Sequence, residues 1–225
     1  MKIHFDQEIQ NLNKLMIAQT TAVENAVRNS ILSLSEGNPD LAWFVIVGDD
    51  ALDTNEVRIE EECLKILALY QPVAGDLRYI ITLLKVNAEL ERIGDLAVNI
   101  AERVMDLLTH KENTIFLDFS EMIREVSSAL KKSLDSLLSR DADLAGDVID
   151  NDSVIDDLHR DNMQQIKRML QRKPHAAESI LDFMSISRNL ERIADGCTNI
   201  GEDVIYLEQG KIIRHFWKKP EEKKE

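Results

Sequence analysis

The chain has 225 residues, 30% of them charged and 44% hydrophobic, with 8 glycines, 4 prolines and a formal net charge of −14. So few chain breakers beside so much apolar surface predict long helices with one buried side and exclude a disordered or collagen-like chain. The acidic excess speaks against a nucleic-acid binder, and against free phosphate as a ligand of the main body, since only residues 211–219 offer a basic stretch; it suits cations or a basic protein surface.

Along the chain, apolar residues at Phe5, Ile9, Leu12, Met16, Val23, Val27, Ile31 and Leu34 are spaced by three, four or their sum, which predicts one amphipathic helix over residues 5–34. Gly37-Asn38-Pro39 ends it. Residues 40–47, dense in apolar side chains including Trp43 and Phe44, read as a short buried helix packed in the core, with docking or dimer formation as its secondary role. Asp49 is the cap candidate of a middle helix that Pro72 closes, and a third helix runs from about Asp76 to Leu108. The order then repeats: a helix over 119–138, a turn with a short helix at 141–147, a middle helix over 152–172 closed by Pro174, and a last helix over 175–209.

These elements predict an all-α protein of two tandem three-helix bundles, residues 1–110 and 111–210, joined near 111–117 and followed by a flexible charged tail, 211–225. No apolar run approaches the ~20 residues of a membrane span, and the first residues lack the apolar segment of a secretion signal, so no membrane insertion and a cytoplasmic location are expected. Cys63 and Cys197, far apart and in no Cys-x-x-Cys pair, read as small buried side chains in a reducing compartment.

The two halves are tied by an internal duplication. Residues 90–104 return one hundred positions later as 190–204 with nine of fifteen identical, where chance gives roughly one. The identities include Glu, Arg, Asp, Asn and Glu, which a merely apolar core would not need to keep. At about 100° per residue, Glu91, Asp95 and Glu102 lie on one helix face with Asn99 at its edge, and the stripe begins upstream as core, at Ile80 and Leu84 in one half and Ile180 and Met184 in the other. Asp49 and Asp53 are spaced i, i+4 and share a face with Glu56 and Glu60; Asp152 and Asp156 do the same with His159. Antiparallel pairing of each middle helix with the helix after it brings four carboxylates together per half. On spacing alone the alternative is a solvated acidic stripe. Converging carboxylates raise one another's pKa, and a divalent or trivalent cation relieves that repulsion; iron, manganese, magnesium, calcium and zinc all suit oxygen ligands.

Enzyme motifs are absent from the sequence. Only Asp156-x-x-His159 approaches the Glu-x-x-His spacing of di-iron oxidases, and there is no phosphate-cradling Gly loop, nucleophile elbow or His-Glu-x-x-His. His4, His110, His175 and His215 are scattered and read as surface residues.

Gln71-Pro72-Val73-Ala74-Gly75-Asp76-Leu77-Arg78, followed by Glu91-Arg92-Ile93-Gly94-Asp95 and its repeat Glu191-Arg192-Ile193-Ala194-Asp195, resembles the PhoU family, regulatory proteins of bacterial phosphate transport, over residues 5–209. The resemblance implies two three-helix bundles related by pseudo-twofold symmetry, whose Glu/Asp-x-x-x-Asp pairs in some members bind multinuclear iron or zinc clusters. Carried onto this chain, the metal ligands are Asp49, Asp53, Glu91 and Asp95 in one half and Asp152, Asp156, Glu191 and Asp195 in the other, with Asn99, Glu102, Asn199 and Glu202 as secondary ligands. It further implies a negative regulator and not an enzyme: a protein, expected to be a homodimer, that links the phosphate transporter's ATPase subunit to a sensor histidine kinase. A metal storage or buffer bundle and a metal-dependent hydrolase are the rival readings. Two departures stand out. Lys173-Pro174-His175-Ala176 replaces the Gln-Pro signature in the second half, and Gly196 stands where the family often has a histidine.

Overall fold

A computed structural model describes residues 2–109 and 116–213, with six α-helices, one 3-10 turn at Pro174–Ala176 and no strand among them. The first bundle comprises α1 (Lys2–Glu36), α2 (Pro39–Tyr70) and α3 (Ala74–Thr109); the second comprises α4 (Ser120–Ser139), α5 (Ala142–Arg172) and α6 (Ala177–Gln209). The all-α, duplicated architecture is the one the repeat predicts. No described helix is long and apolar enough to cross a membrane. Residues 111–115 of the expected joint, residues 214–225 of the expected tail, and His110 and His215 lie outside the described residues.

The middle helices correct the sequence reading. Neither residues 40–47 nor 141–147 form a separate short helix, and Asp49 caps nothing: α2 and α5 are each continuous. Their starts are fixed one element earlier. Asn38 accepts from the backbone N–H groups of Asp40 and Leu41, with Pro39 in the first turn, and Asp141 accepts likewise from Asp143 and Leu144. No proline interrupts either run, and Gly48 alone is too weak a breaker to end a helix whose buried stripe continues on both sides of it. That stripe, Val45, Leu52, Ile59 and Ile66, recurs every seven residues. Val148, Ile155 and Asn162 repeat it in α5.

Continuity also overturns the buried placement of residues 40–47. Ala42 and Val45 face the core, but Trp43, Phe44 and Val47 fall on the other side of the same helix and are 59%, 63% and 51% exposed. Phe44 lines a groove of about 440 Å3 between α1 and α2 whose walls include Ala18, Ala22, Ala26, Gly48 and Ala51.

The third helix of each half packs against that of the other, so the bundles share one core. Ion pairs cross this seam, among them Lys85 Nζ to Asp203 Oδ1 at 2.5 Å and Arg103 Nη1 to Asp182 Oδ1 at 3.6 Å, which sets α3 and α6 antiparallel. Asp203 and Asp182 are 3% and 7% exposed, and carboxylates this deep need a counter-charge. Arg103 and Asp203 occupy equivalent positions of the duplication. Their opposite signs were a legible hint of a heterologous contact between halves.

Arg78, the last residue of the Gln-Pro signature, makes a third cross-half tie. Its Nε donates to the carbonyl of Leu207 at 2.7 Å, meeting one of the acceptors that the end of α6 leaves open. Gly210 closes that helix at φ 68° and donates to Tyr206 O. A Cβ at Gly210 would lie 2.9 Å from Arg78 Nη1, which would have to move aside, and the positive φ is what calls for glycine there. Glu178 stands at the position equivalent to Arg78 in the second half.

Candidate metal centres

Each candidate centre is built where a middle helix lies against the third helix of its own bundle. In the first, Asp49 and Asp53 project from successive turns of α2 toward Asp95 of α3, and one carboxylate oxygen from each lies within 4.8 Å of the others. Gly94 allows the approach. A Cβ there would sit 3.1 Å from Leu52 Cδ1, so a larger side chain would push α3 off α2 beside these acids. The core start of the acid stripe is borne out at Ile80 and Ile180, both fully buried, with Leu84 half-buried; Met184, at 40% exposure, departs from it.

Crowding is visible in how the acids titrate. Burial is the largest influence raising Asp49, followed by the charges of Asp53 and Asp95 and then by Asp50 and Glu102. Burial also leads for Glu91, with Asp95, Asp53, Glu56 and Asp49 adding to it. For Asp95, burial and Asp53 raise the pKa against a hydrogen bond from Glu91 that lowers it. Glu56, raised by burial and then by Glu60 and Asp53, belongs to the same neighbourhood although the chosen ligands omitted it. Its signal was present as the i+3 neighbour of Asp53.

The second group lies on α5 and α6, without a trio of oxygens as close as the one formed by Asp49, Asp53 and Asp95. Asp195 is pushed up to about 6, first by burial, then by Glu191, Asp152 and Asp156, with Arg192 opposing. Asp152 is raised by burial and by Asp156, while Thr198 Oγ1 donates to its Oδ1 at 3.0 Å and holds it in place. Thr198 replaces Val98 of the first half, a substitution visible in the repeat but without meaning until α5 is seen opposite it.

Of the eight chosen carboxylates, the structure brings Asp49, Asp53 and Asp95 together, with Glu91 within electrostatic reach of them; Asp152, Glu191 and Asp156 act electrostatically on Asp195, but no three of these four converge as closely. Of the secondary set, Glu102 adds its charge to Asp49. Asn99 is exposed and Asn199 half-buried. Glu202 lines a cavity of about 210 Å3 at the seam with Lys85, Asp203 and Tyr206. Cys63 and Cys197 are free and fully buried, their thiols raised to about 12 chiefly by burial, which keeps them from the thiolate form that binds metal.

The donor set fits a hard cation. Carboxylates that hold their protons more tightly through burial and then through one another's charge are those a divalent or trivalent ion displaces protons from. Asp49, Asp53, Glu91 and Asp95 would hold it in the first centre, and Asp152, Asp156, Glu191 and Asp195 in the second.

Comparison with known proteins gives a consistent answer. The family model described as the PhoU domain matches residues 20–104 and again 119–204. The chain is 33% identical over 215 residues to the phosphate-specific transport system accessory protein PhoU homolog 1 of Thermotoga maritima, covering 95% of this chain and 93% of that one. It is 29% identical over 211 residues to the accessory protein PhoU of Escherichia coli, covering 94% and 88%. The crystal structure of PhoU from Pseudomonas aeruginosa superposes with a TM-score of 0.89 at 33% identity, over 92% of this chain and 100% of that one.

Proposed function

The chain belongs to the PhoU family, and from that membership we propose that it is a metal-braced adaptor that restrains phosphate uptake when phosphate is plentiful. A role in the regulation of phosphate transport follows from relatives named as accessory proteins of the phosphate-specific transport system. The finer reading is that it joins the transporter's ATPase subunit to a sensor histidine kinase, on the cytoplasmic side of the membrane and as a homodimer, and that it regulates without catalysing.

One observation carries the metal part of this reading: three carboxylate oxygens, from Asp49, Asp53 and Asp95 on two different helices, lie within 4.8 Å of one another. A bound cation supplies the positive charge that lets all these acids ionise together. Asp49 and Asp53 then fasten α2 to α3, and Asp152 and Asp156 fasten α5 to α6, so each bundle is held as a rigid arm. The exposed Trp43, Phe44 and Val47 beside the groove of α1 and α2 offer an apolar contact face for a partner or for the second protomer.

The test is metal content by mass spectrometry on protein purified without a metal-affinity tag, for the wild type and the double variant Asp95→Asn, Asp195→Asn, with capture of the ATPase and the kinase measured alongside. Metal lost in the variant together with partner capture by the wild type supports the adaptor. Exchangeable metal with neither partner captured points to a storage bundle. A metal-free wild type that captures neither partner refutes the reading.

A further inference from the structure

We propose that the furrow between α1 and α2 is the seat of one amphipathic helix of another protein, apolar along the face it buries and acidic along its edges. This rests on the adaptor reading above, which leaves the face open between a partner and a second protomer, but not on bound metal.

The duplication supplies a comparison within the chain. Positions 103 apart are equivalent on the first two helices of each half: Asp49 and Asp53 recur as Asp152 and Asp156, and Ser30 and Ser33 as Ser133 and Ser136, each serine hydroxyl donating to the carbonyl three residues back. On that register the outward face differs in character. Asp147, Asp150, Asp157 and Asp161 of α5 stand where α2 has Phe44, Val47, Thr54 and Arg58. Glu121 and Glu125 of α4 stand where α1 has Ala18 and Ala22. In the second half Asn151 Nδ2 donates to Glu125 Oε2 at 3.3 Å, a bridge from α5 to α4. The equivalent pair in the first half is Gly48 and Ala22, which have no side chains to bridge with. One copy is thus the solvated acidic surface expected of a chain with a net charge of −14, and the other carries none of these six acids.

What the small residues leave is a trough. Its lining runs from Ala18 to Asn29 on α1 and from Phe44 to Asn55 on α2, a length of about 16 Å or three helical turns. No lining side chain is charged. The polar groups of the floor are met within it, since Asn55 Nδ2 donates to Gln19 Oε1 at 2.7 Å and Gln19 Nε2 to the carbonyl of Leu52 at 3.2 Å. The surface that remains calls for apolar contact, and alanines at every fourth residue of α1, with Gly48 and Ala51 opposite, let the ridge of a third helix come close. A flat membrane surface does not fill such a trough.

The edges set the charge of the occupant. At about 100° per residue, Lys14, Thr21 and Arg28 form one stripe along the outer edge of α1, and Val47, Thr54 and Arg58 form one along that of α2. Lys14, Arg28 and Arg58 are exposed, and among the described residues none of them is in an ion pair; Arg28 Nη2 donates to Asn25 Oδ1 at 2.8 Å. Of the nearby acids, Asp40 lies a turn beyond Phe44, and Glu24 and Asp50 fall about 60° further round their helices. Two copies of this face would set the three cations against one another, whereas Asp or Glu on the edges of a guest helix pairs with them.

The experiment displays helical peptides of about 18 residues, with a fixed Leu, Ile or Phe stripe at i, i+3, i+4 and i+7 and edge positions drawn from Asp, Glu, Ser, Lys and Arg, and selects them on the immobilised full chain. Retained peptides are synthesised and titrated by calorimetry, once with chelator and once with zinc. The comparison protein is Ala22→Glu, Gly48→Asn, which copies the bridge of the second half; a Cβ at Gly48 meets no atom within 4 Å, so the added side chain has room. Phe44→Asp, at an exposed position, is a second such variant, and the Tm of each is checked against wild type. Acidic-edged peptides are expected to bind wild type alike in both conditions, to lose about 10-fold or more on either variant, where a new polar group meets their apolar face, and to weaken on Arg58→Asp and in high salt. No peptide preferring wild type to both variants, or preferred peptides with basic edges, overturns the proposal. A wild-type dimer that becomes monomeric in the bridged variant by light scattering assigns the trough to a second copy, and anionic vesicles that sediment wild type but not that variant assign it to a membrane; either overturns it. The adaptor reading is judged separately, by capture of the ATPase and the kinase.

Discussion

Asp195→Asn offers a test in which the sign of the effect depends on whether metal is present. The Asp195 carboxyl sits at about 6 in the folded protein against an ordinary value of 3.8, chiefly through burial and the charges of Glu191, Asp152 and Asp156. A raised carboxyl binds its proton more tightly in the folded state, so its contribution to stability is fully present below about pH 3.8 and is lost as pH rises through 6. At pH 7.5 the metal-free wild type bears the whole penalty, and an asparagine, having no charge, does not. A difference of about two pH units at ~1.4 kcal/mol each sets a ceiling near 3 kcal/mol. Asp195 is exposed to water at its rim, and screening reduces this to about 1 kcal/mol, or roughly 2–4 °C in Tm for a chain of this length. Urea unfolding of chelator-treated protein should therefore find Asp195→Asn more stable than wild type by about 1 kcal/mol at pH 7.5 and equal to it at pH 3.5. Zinc at about 100 times its dissociation constant adds roughly 2.7 kcal/mol per site to the wild type and less to the variant, reversing the order. A variant less stable than wild type without metal at pH 7.5 would show that Asp195 is held by favourable contacts and not by crowding, and the argument for a metal-demanding cluster would fail.

Three further outcomes follow from other contacts. Gly210→Ala, placed at φ 68° with its Cβ 2.9 Å from Arg78 Nη1, should lower stability by about 1–2 kcal/mol in urea unfolding; combining it with Arg78→Ala should be less than additive, because the clash disappears. Lys85→Met removes the counter-charge of Asp203, which is 3% exposed, and should cost about 1–3 kcal/mol, partly restored by adding Asp203→Asn. Gly94→Leu drives a side chain into Leu52, so the stability loss of about 1–3 kcal/mol typical of overpacking should come with loss of metal from the first cluster alone, read by metal content against the wild type.

Much of the candidate site was legible because it is written in local periodicity and then written again. The spacing of Asp49 with Asp53 and of Glu91 with Asp95 fixes which residues share a helix face, and their copies in the second half, Asp152 with Asp156 and Glu191 with Asp195, mark those positions as kept for more than packing. Helix ends were less legible. Asp49 looked like a cap only because the stretch before it was apolar enough to pass for an element of its own, whereas the cap that starts α2 is Asn38. Trp43, Phe44 and Val47 were placed inside for the same reason, since an apolar run carries no label for which of its residues turns outward once the helix is continuous.

By itself, then, the sequence determined the helices, their duplication and the eight acids, all properties of residues within a few turns of one another. The tertiary structure alone decided the pairing of Lys85 with Asp203, the reach of Arg78 to Leu207, and the placing of Ser187 against His159 and of Thr198 against Asp152. These contacts join residues 28 to 129 positions apart. Their partners are chosen by how whole helices pack, which no spacing along one helix encodes.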